Sequence, residues 1–202
     1  MKPRTKKIIM IIAVIISIVV ITSIVYDPII KDLVVKKTHN TTYWNIHFAN
    51  LSKPKIVGTS RVVRKPILLA THIGDYEITL SKPGDSVAYE FDIVNDGNLN
   101  AIIVNYVYDP KLCNIYIYHN RCDWDGNGIS DEKDSYKIRN NITYSLKYTS
   151  NGKDVRVGDT LYAHSKKHVR LKLTYNNDAK EMPKKPIRLD SLGRIISYAQ
   201  LR

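Results

Sequence analysis

The chain has few of the residues that usually announce chemistry. Its 202 residues include two cysteines, two phenylalanines, two tryptophans and six histidines. No H-E-x-x-H and no G-x-S-x-G occurs, so the common zinc-peptidase and serine-hydrolase arrangements are missing. His164 and His168 are the only close histidine pair, and their spacing of four on a strand supplies no third carboxylate ligand. Neither cysteine has an evident histidine base. No catalytic residue is therefore nominated. There is no internal repeat and no long amphipathic helical pattern. Acidic residues are outnumbered 19 to 31 by Lys and Arg, giving a formal net charge of +12. The basic runs, such as Lys166-Lys167 and Lys184-Lys185, are not grouped with stacking aromatics, so nucleic acid is not an expected partner. For an exported basic surface the candidate partners are anionic wall polymers or lipid headgroups; a merely solvated basic surface is the favoured alternative.

The export signal is at the start. Lys2, Arg4, Lys6 and Lys7 precede an apolar run from Ile8 to Tyr26, broken only by Ser17, Thr22 and Ser23. As a helix this run would reach roughly 28 Å, about the thickness of a bilayer's hydrocarbon core. Residues 1–26 read as an uncleaved membrane anchor or as a signal peptide cut after Ser23. Both leave the basic end in the cytoplasm and carry the rest outside, as a single-pass membrane protein or as a secreted, cell-surface one. Residues 27–41 read as a linker. In an oxidising compartment Cys113 and Cys122 suggest one disulfide; two free buried thiols are the alternative. A zinc site on both cysteines and His119 lacks a clear fourth ligand.

From residue 42 to 202 the pattern is alternating strands and turns. In His168–Tyr175 the apolar residues 169, 171, 173 and 175 alternate with His, Arg, Lys and Thr, which predicts one buried and one wet face. Tyr43–Phe48 and Val87–Ile93 alternate in the same way. Further strands are expected at Tyr76–Leu80, Ala101–Tyr108, Asn114–Tyr118, Ile142–Tyr148 and Arg194–Ala199. Pro83-Gly84 suits the centre of a type II turn, and Asn151-Gly152 a hairpin. Residues 49–74 fit no clear pattern, and 180–189, with two prolines, reads as a loop. The expectation is an all-β sandwich of antiparallel sheets.

Five of the 19 acidic residues crowd into C-D-W-D-G-N-G-I-S-D-E-K-D, residues 122–134. Counted from Asp123, oxygen-bearing side chains fall at positions 1, 3, 5, 9 and 12, with glycine at 6. A calcium loop uses these positions, with a backbone carbonyl at 7. Asp123, Asp125, Asn127, the Ile129 carbonyl, Asp131 and Asp134 are the candidate ligands, and calcium the expected ion. No flanking helix is evident, so the loop resembles thrombospondin type 3 and dockerin-like calcium loops more than a full EF-hand. A polar hairpin tip is the alternative, since Asp-Gly and Asn-Gly favour turns without metal.

Four stretches occur in a telling order: W-N-I-H-F-A-N-L (44–51), L-S-K-P-G-D-S-V-A-Y-E-F-D-I-V-N-D-G-N-L-N-A (80–101), G-D-T-L-Y-A-H-S-K-K-H-V-R-L-K-L-T-Y (158–175) and I-I-S-Y-A-Q (195–200). This order resembles the TasA/camelysin family of bacterial surface and biofilm-matrix proteins over roughly residues 42–200, with 109–141 the least matched part. The resemblance implies an immunoglobulin-like or jelly-roll sandwich outside the cell, used as a coat, matrix or filament subunit. In the family some members polymerise by adding a strand of one subunit to the sheet of the next. An uncleaved anchor would tether that strand. The rival expectations are a calcium-dependent adhesion module for a wall polymer or host ligand and, third, a peptidase of the kind camelysin's label implies.

Overall fold

The computed structural model describes residues 42–107 and 122–201. Its regular elements fall in the second of two units, Tyr43–Arg202. The expected membrane segment 8–26, the linker 27–41, the strand 114–118 and Cys113 lie outside the described residues, and so does any test of the disulfide. No described helix is long and apolar enough to cross a membrane.

Alternation decides the main strands. In β11 (Ser165–Tyr175) Val169, Leu171, Leu173 and Tyr175 are fully buried, whereas His168 and Arg170 face outward. In β6 (Ser86–Asn95) Val87, Tyr89, Phe91 and Ile93 point inward, and in β9 (Ile142–Tyr148) the even-numbered residues do so. Each such fully buried side chain contributes about 1.5–3 kcal/mol of transfer free energy. One sheet runs in the order β1-β6-β11-β9, where β1 is Ile46–Ala49; β2 (Lys55–Val57) also pairs with β6.

The second sheet is built on β12 (Ile187–Gln200) and β5 (His72–Leu80). Its order is β10-β7-β12-β5-β3, where β3 is Arg61–Arg64, β7 is Ala101–Val107 and β10 is Thr160–Leu161. β4 (Ile67–Leu69) pairs with β5, and β8 (Cys122–Asp123) pairs with β12. All these pairings are antiparallel. The chain is thus mostly β, and side chains from both sheets share one core. The Tyr76 and Tyr144 hydroxyls meet across it, and the buried Arg194 guanidinium stacks 3.6 Å from the Tyr144 ring centre while donating to the Tyr144 carbonyl.

The chain crosses from one sheet to the other at Gly58–Ser60, between β2 and β3. A single carboxylate holds this corner. Asp85, fully buried, accepts N–H bonds from Thr59 (2.9 Å), Ser81 (2.8 Å) and Lys82 (3.2 Å) and the Thr59 hydroxyl (2.8 Å). Burial alone would raise its pKa, but these donors together hold it below the ordinary carboxylate value. The expected turn beside it is present: Gly84 has φ +89°, and the Asp85 N–H bonds to the Lys82 carbonyl. On the outer face of the first sheet, hydrogen bonds from Lys55 (3.0 Å) and Arg170 (2.7 Å) hold the Glu90 carboxyl down to about 2.

Three sequence readings need correction. Residues 49–74, left without a pattern, contain the short strands β2, β3 and β4 and the start of β5. The loop assigned to 180–189 ends early, because β12 begins at Ile187 and buries Ile187 and Leu189. Trp44, expected on the buried face with Ile46 and Phe48, is 42% exposed.

Candidate metal centre

The acidic loop is clamped at both ends. Its entry, β8, pairs with β12 so that Asp123 sits opposite Arg188 and Cys122 opposite Leu189. Its exit is a helix, α1 (Glu132–Asn141), where none was expected. Asp131 is the N-cap: its side chain accepts the Asp134 N–H, and the Asp134 side chain accepts the Asp131 N–H, each at 3.0 Å. Helix α1 buries Asp134, Ser135, Ile138 and Asn141, a face with only one apolar residue. In the middle, Trp124 turns inward, 6% exposed, and meets the Tyr175 ring edge-on at 6.0 Å.

Between these anchors, side chains organise the turn. Asp123 accepts N–H bonds from Gly126 (2.6 Å), Asn127 (3.1 Å) and Gly128 (2.9 Å). Asp125 accepts from the Asn127 N–H at 3.0 Å, and Asn127 from the Ile129 N–H at 2.7 Å. Gly126 and Gly128 have φ of +73° and +85°, a region L-residues rarely adopt, so glycine is required at the bends. Lys185 reaches over the loop and donates to the Gly126 carbonyl at 2.6 Å.

The six proposed ligands do not behave alike. Asp123, Asp125 and Asp134 offer oxygens that all lie within 4.8 Å of one another. Asp131 stands outside that group, occupied as the helix cap. Asn127 and Ile129 are on the exposed tip, Ile129 65% exposed. Asp134 is the buried member, and it also accepts the Trp124 N–H at 3.0 Å. Burial raises its pKa; the Asp131 and Trp124 N–H bonds oppose this, and the Asp131 and Asp125 charges add to it. A hard cation among the three carboxylates would relieve that repulsion. Sequence reasoning overlooked Trp124 and Lys185. A lone tryptophan between two aspartates was the available sign of an inward anchor; Lys185, 59 residues from Gly126, left none.

Compared with protein-family models, curated proteins and solved structures, the chain matches none.

Proposed function

We propose that this chain is a structural protein of the cell surface or extracellular matrix, of the TasA/camelysin type. Residues 8–26 hold it to the membrane or direct its release, and residues 42–202 form an immunoglobulin-like or jelly-roll sandwich. Subunits associate by strand addition into a coat, biofilm matrix or filament. The observation that carries this reading is one side of the sandwich. There β2, β3 and β4 are short edge strands, and Ile56, Val57, Val63, Ile67 and Leu69 are 48–59% exposed. Edge strands with solvent-facing apolar residues are templates for pairing with another chain. Electron microscopy of the protein lacking residues 1–26 tests it. Filaments that lengthen with concentration are expected; a monomer at every concentration would sink the reading.

The loop serves this module as a staple. Asp123, Asp125 and Asp134, with Asn127 and the Ile129 carbonyl, hold one Ca2+ that joins β8 to α1. Asp131 supports them as the cap. For an extracellular site with a Kd of about 10⁻⁴–10⁻³ M, 10 mM calcium adds about 2 kcal/mol, or about 4–8 °C in Tm for a unit of this size. Asp123→Ala with Asp125→Ala abolishes that calcium-dependent shift. If the double variant keeps it, the ion is elsewhere.

A further inference from the structure

At one end of the sandwich, away from the acidic loop in sequence, an open cleft of about 700 Å³ lies between residues 148–159 and the start of β11. Four cations line it: Lys153, Arg156, Lys166 and Lys167. The two carboxylates there are already engaged. Asp159 accepts the Tyr148 hydroxyl at 2.7 Å and the Arg156 backbone N–H at 2.8 Å. Asp154 faces Lys147 and Arg156, each at 3.6 Å. Among the described residues neither Lys153 nor Lys167 has an acidic partner. Lys166, its side chain 68% exposed, has only a long contact of 3.6 Å to Asp92. Lys167 is fixed in place over the Tyr148 ring, 4.9 Å from its centre. Arg156 is thus shared with Asp154, and the three lysines carry the cleft's excess positive charge.

We propose that this cleft binds a linear phosphodiester polymer. Three of its four cations are lysines, point charges of the kind that bind phosphate, and the single bidentate fork that would fit a planar carboxylate, Arg156, already faces Asp154. The shape selects a chain over a bilayer. The cations line a concavity, which a single strand can enter and a flat headgroup surface cannot fill. The site depends neither on calcium in the acidic loop nor on assembly through β2–β4.

The test uses the full-length chain in non-ionic detergent, titrated with poly(glycerol phosphate) at several salt concentrations. Lys153→Gln with Lys166→Gln is the working variant, since both side chains are exposed and neither supports the core. Lys65→Gln with Lys184→Gln, outside the cleft, is the control. Each lysine lost from the cleft is expected to weaken binding about fivefold, as for lysines near anionic surfaces, so the working variant loses about 25-fold. The slope of log affinity against log salt falls by about 0.7 per lysine removed, as for single-stranded polyanions. The control keeps wild-type affinity and slope. No binding by the wild type overturns the inference, as does equal loss in the control. Equal affinity for polygalacturonate would show a cation surface without phosphate preference. Tighter binding to phosphatidylglycerol vesicles, lost in the same variant, would assign the cations to a membrane; either result also overturns it.

Discussion

Asp85 offers a sharp test of how the two sheets are joined. Its side chain is wholly buried and accepts four hydrogen bonds, three from the backbone. Asp85→Ala leaves three partly buried N–H groups without their acceptor. Each such group costs about 1–3 kcal/mol, and relaxation or an entering water recovers part of the sum, so a loss of about 3–5 kcal/mol is expected. For a unit of this size that lowers Tm by about 10 °C or somewhat more. Asp85→Asn keeps one acceptor oxygen and turns an amide against the remaining donors, a loss of about 2–3 kcal/mol. The asparagine variant also carries a pH signature. The folded pKa of Asp85 lies below its unfolded value, so its stabilisation is fully present above about pH 4 and disappears as pH falls through the folded value. Thermal denaturation by circular dichroism from pH 6 to pH 2 should therefore show the Tm gap between wild type and Asp85→Asn narrowing at acid pH. Glu90 and Asp92, also lowered, titrate in both proteins and cancel in the difference. A gap that stays constant across that range, or a Tm change under 2 °C at pH 6, would refute the account of this corner.

Two further substitutions probe the neighbouring parts. Gly58→Ala should cost about 2–3 kcal/mol, because the residue has φ +73° and a Cβ there would stand 2.0 Å from the Asp85 carboxylate; urea denaturation measures the loss, and a neutral result would mean the corner can shift. Ile138→Ala removes the only apolar side chain among the four buried on α1 and should cost about 2–4 kcal/mol; a Tm change below about 3 °C would show that α1 is held by its polar contacts.

Legibility in the sequence followed from how much each segment buries. Strands β6, β9 and β11 lie inside or beside the first sheet with one face in the core, so alternation had to be strict and could be read. The second sheet was legible only in parts. The β12 strand changes partner along its length, pairing with β5 and β8 near its start and with β7 near its end, and its register shifts at Leu189–Arg194. Such irregularities break the period of two that strand recognition depends on. Edge strands β2–β4 contribute only Val62 and Leu68 to the core margin, so three short strands left no apolar pattern. The helix α1 was hidden for the opposite reason. Its buried face is Asp134, Ser135, Ile138 and Asn141, a polar surface with no apolar stripe at helical spacing.

The acidic loop shows why the site was legible only in outline. A carboxylate pair three residues apart satisfies two physical demands at once. It can close a cation loop at positions 9 and 12, and it can form the reciprocal box that starts a helix. Letters alone cannot separate these uses, because both need an oxygen acceptor at each position. Geometry divides them: Asp131 caps α1 and stays exposed, while Asp134 is buried and turns toward Asp123 and Asp125. The unexpected helix therefore bears directly on the site. It fixes the most buried carboxylate of the cluster at the first turn of a packed element, where the cap holds that oxygen in place before any cation arrives. In the proposed calcium site, a carboxylate held in this way would reduce the freedom lost on binding. On the proposed calcium reading, Asp131→Ala should weaken calcium binding measured by calorimetry through loss of the cap, without Asp131 touching the ion; unchanged affinity would refute that role.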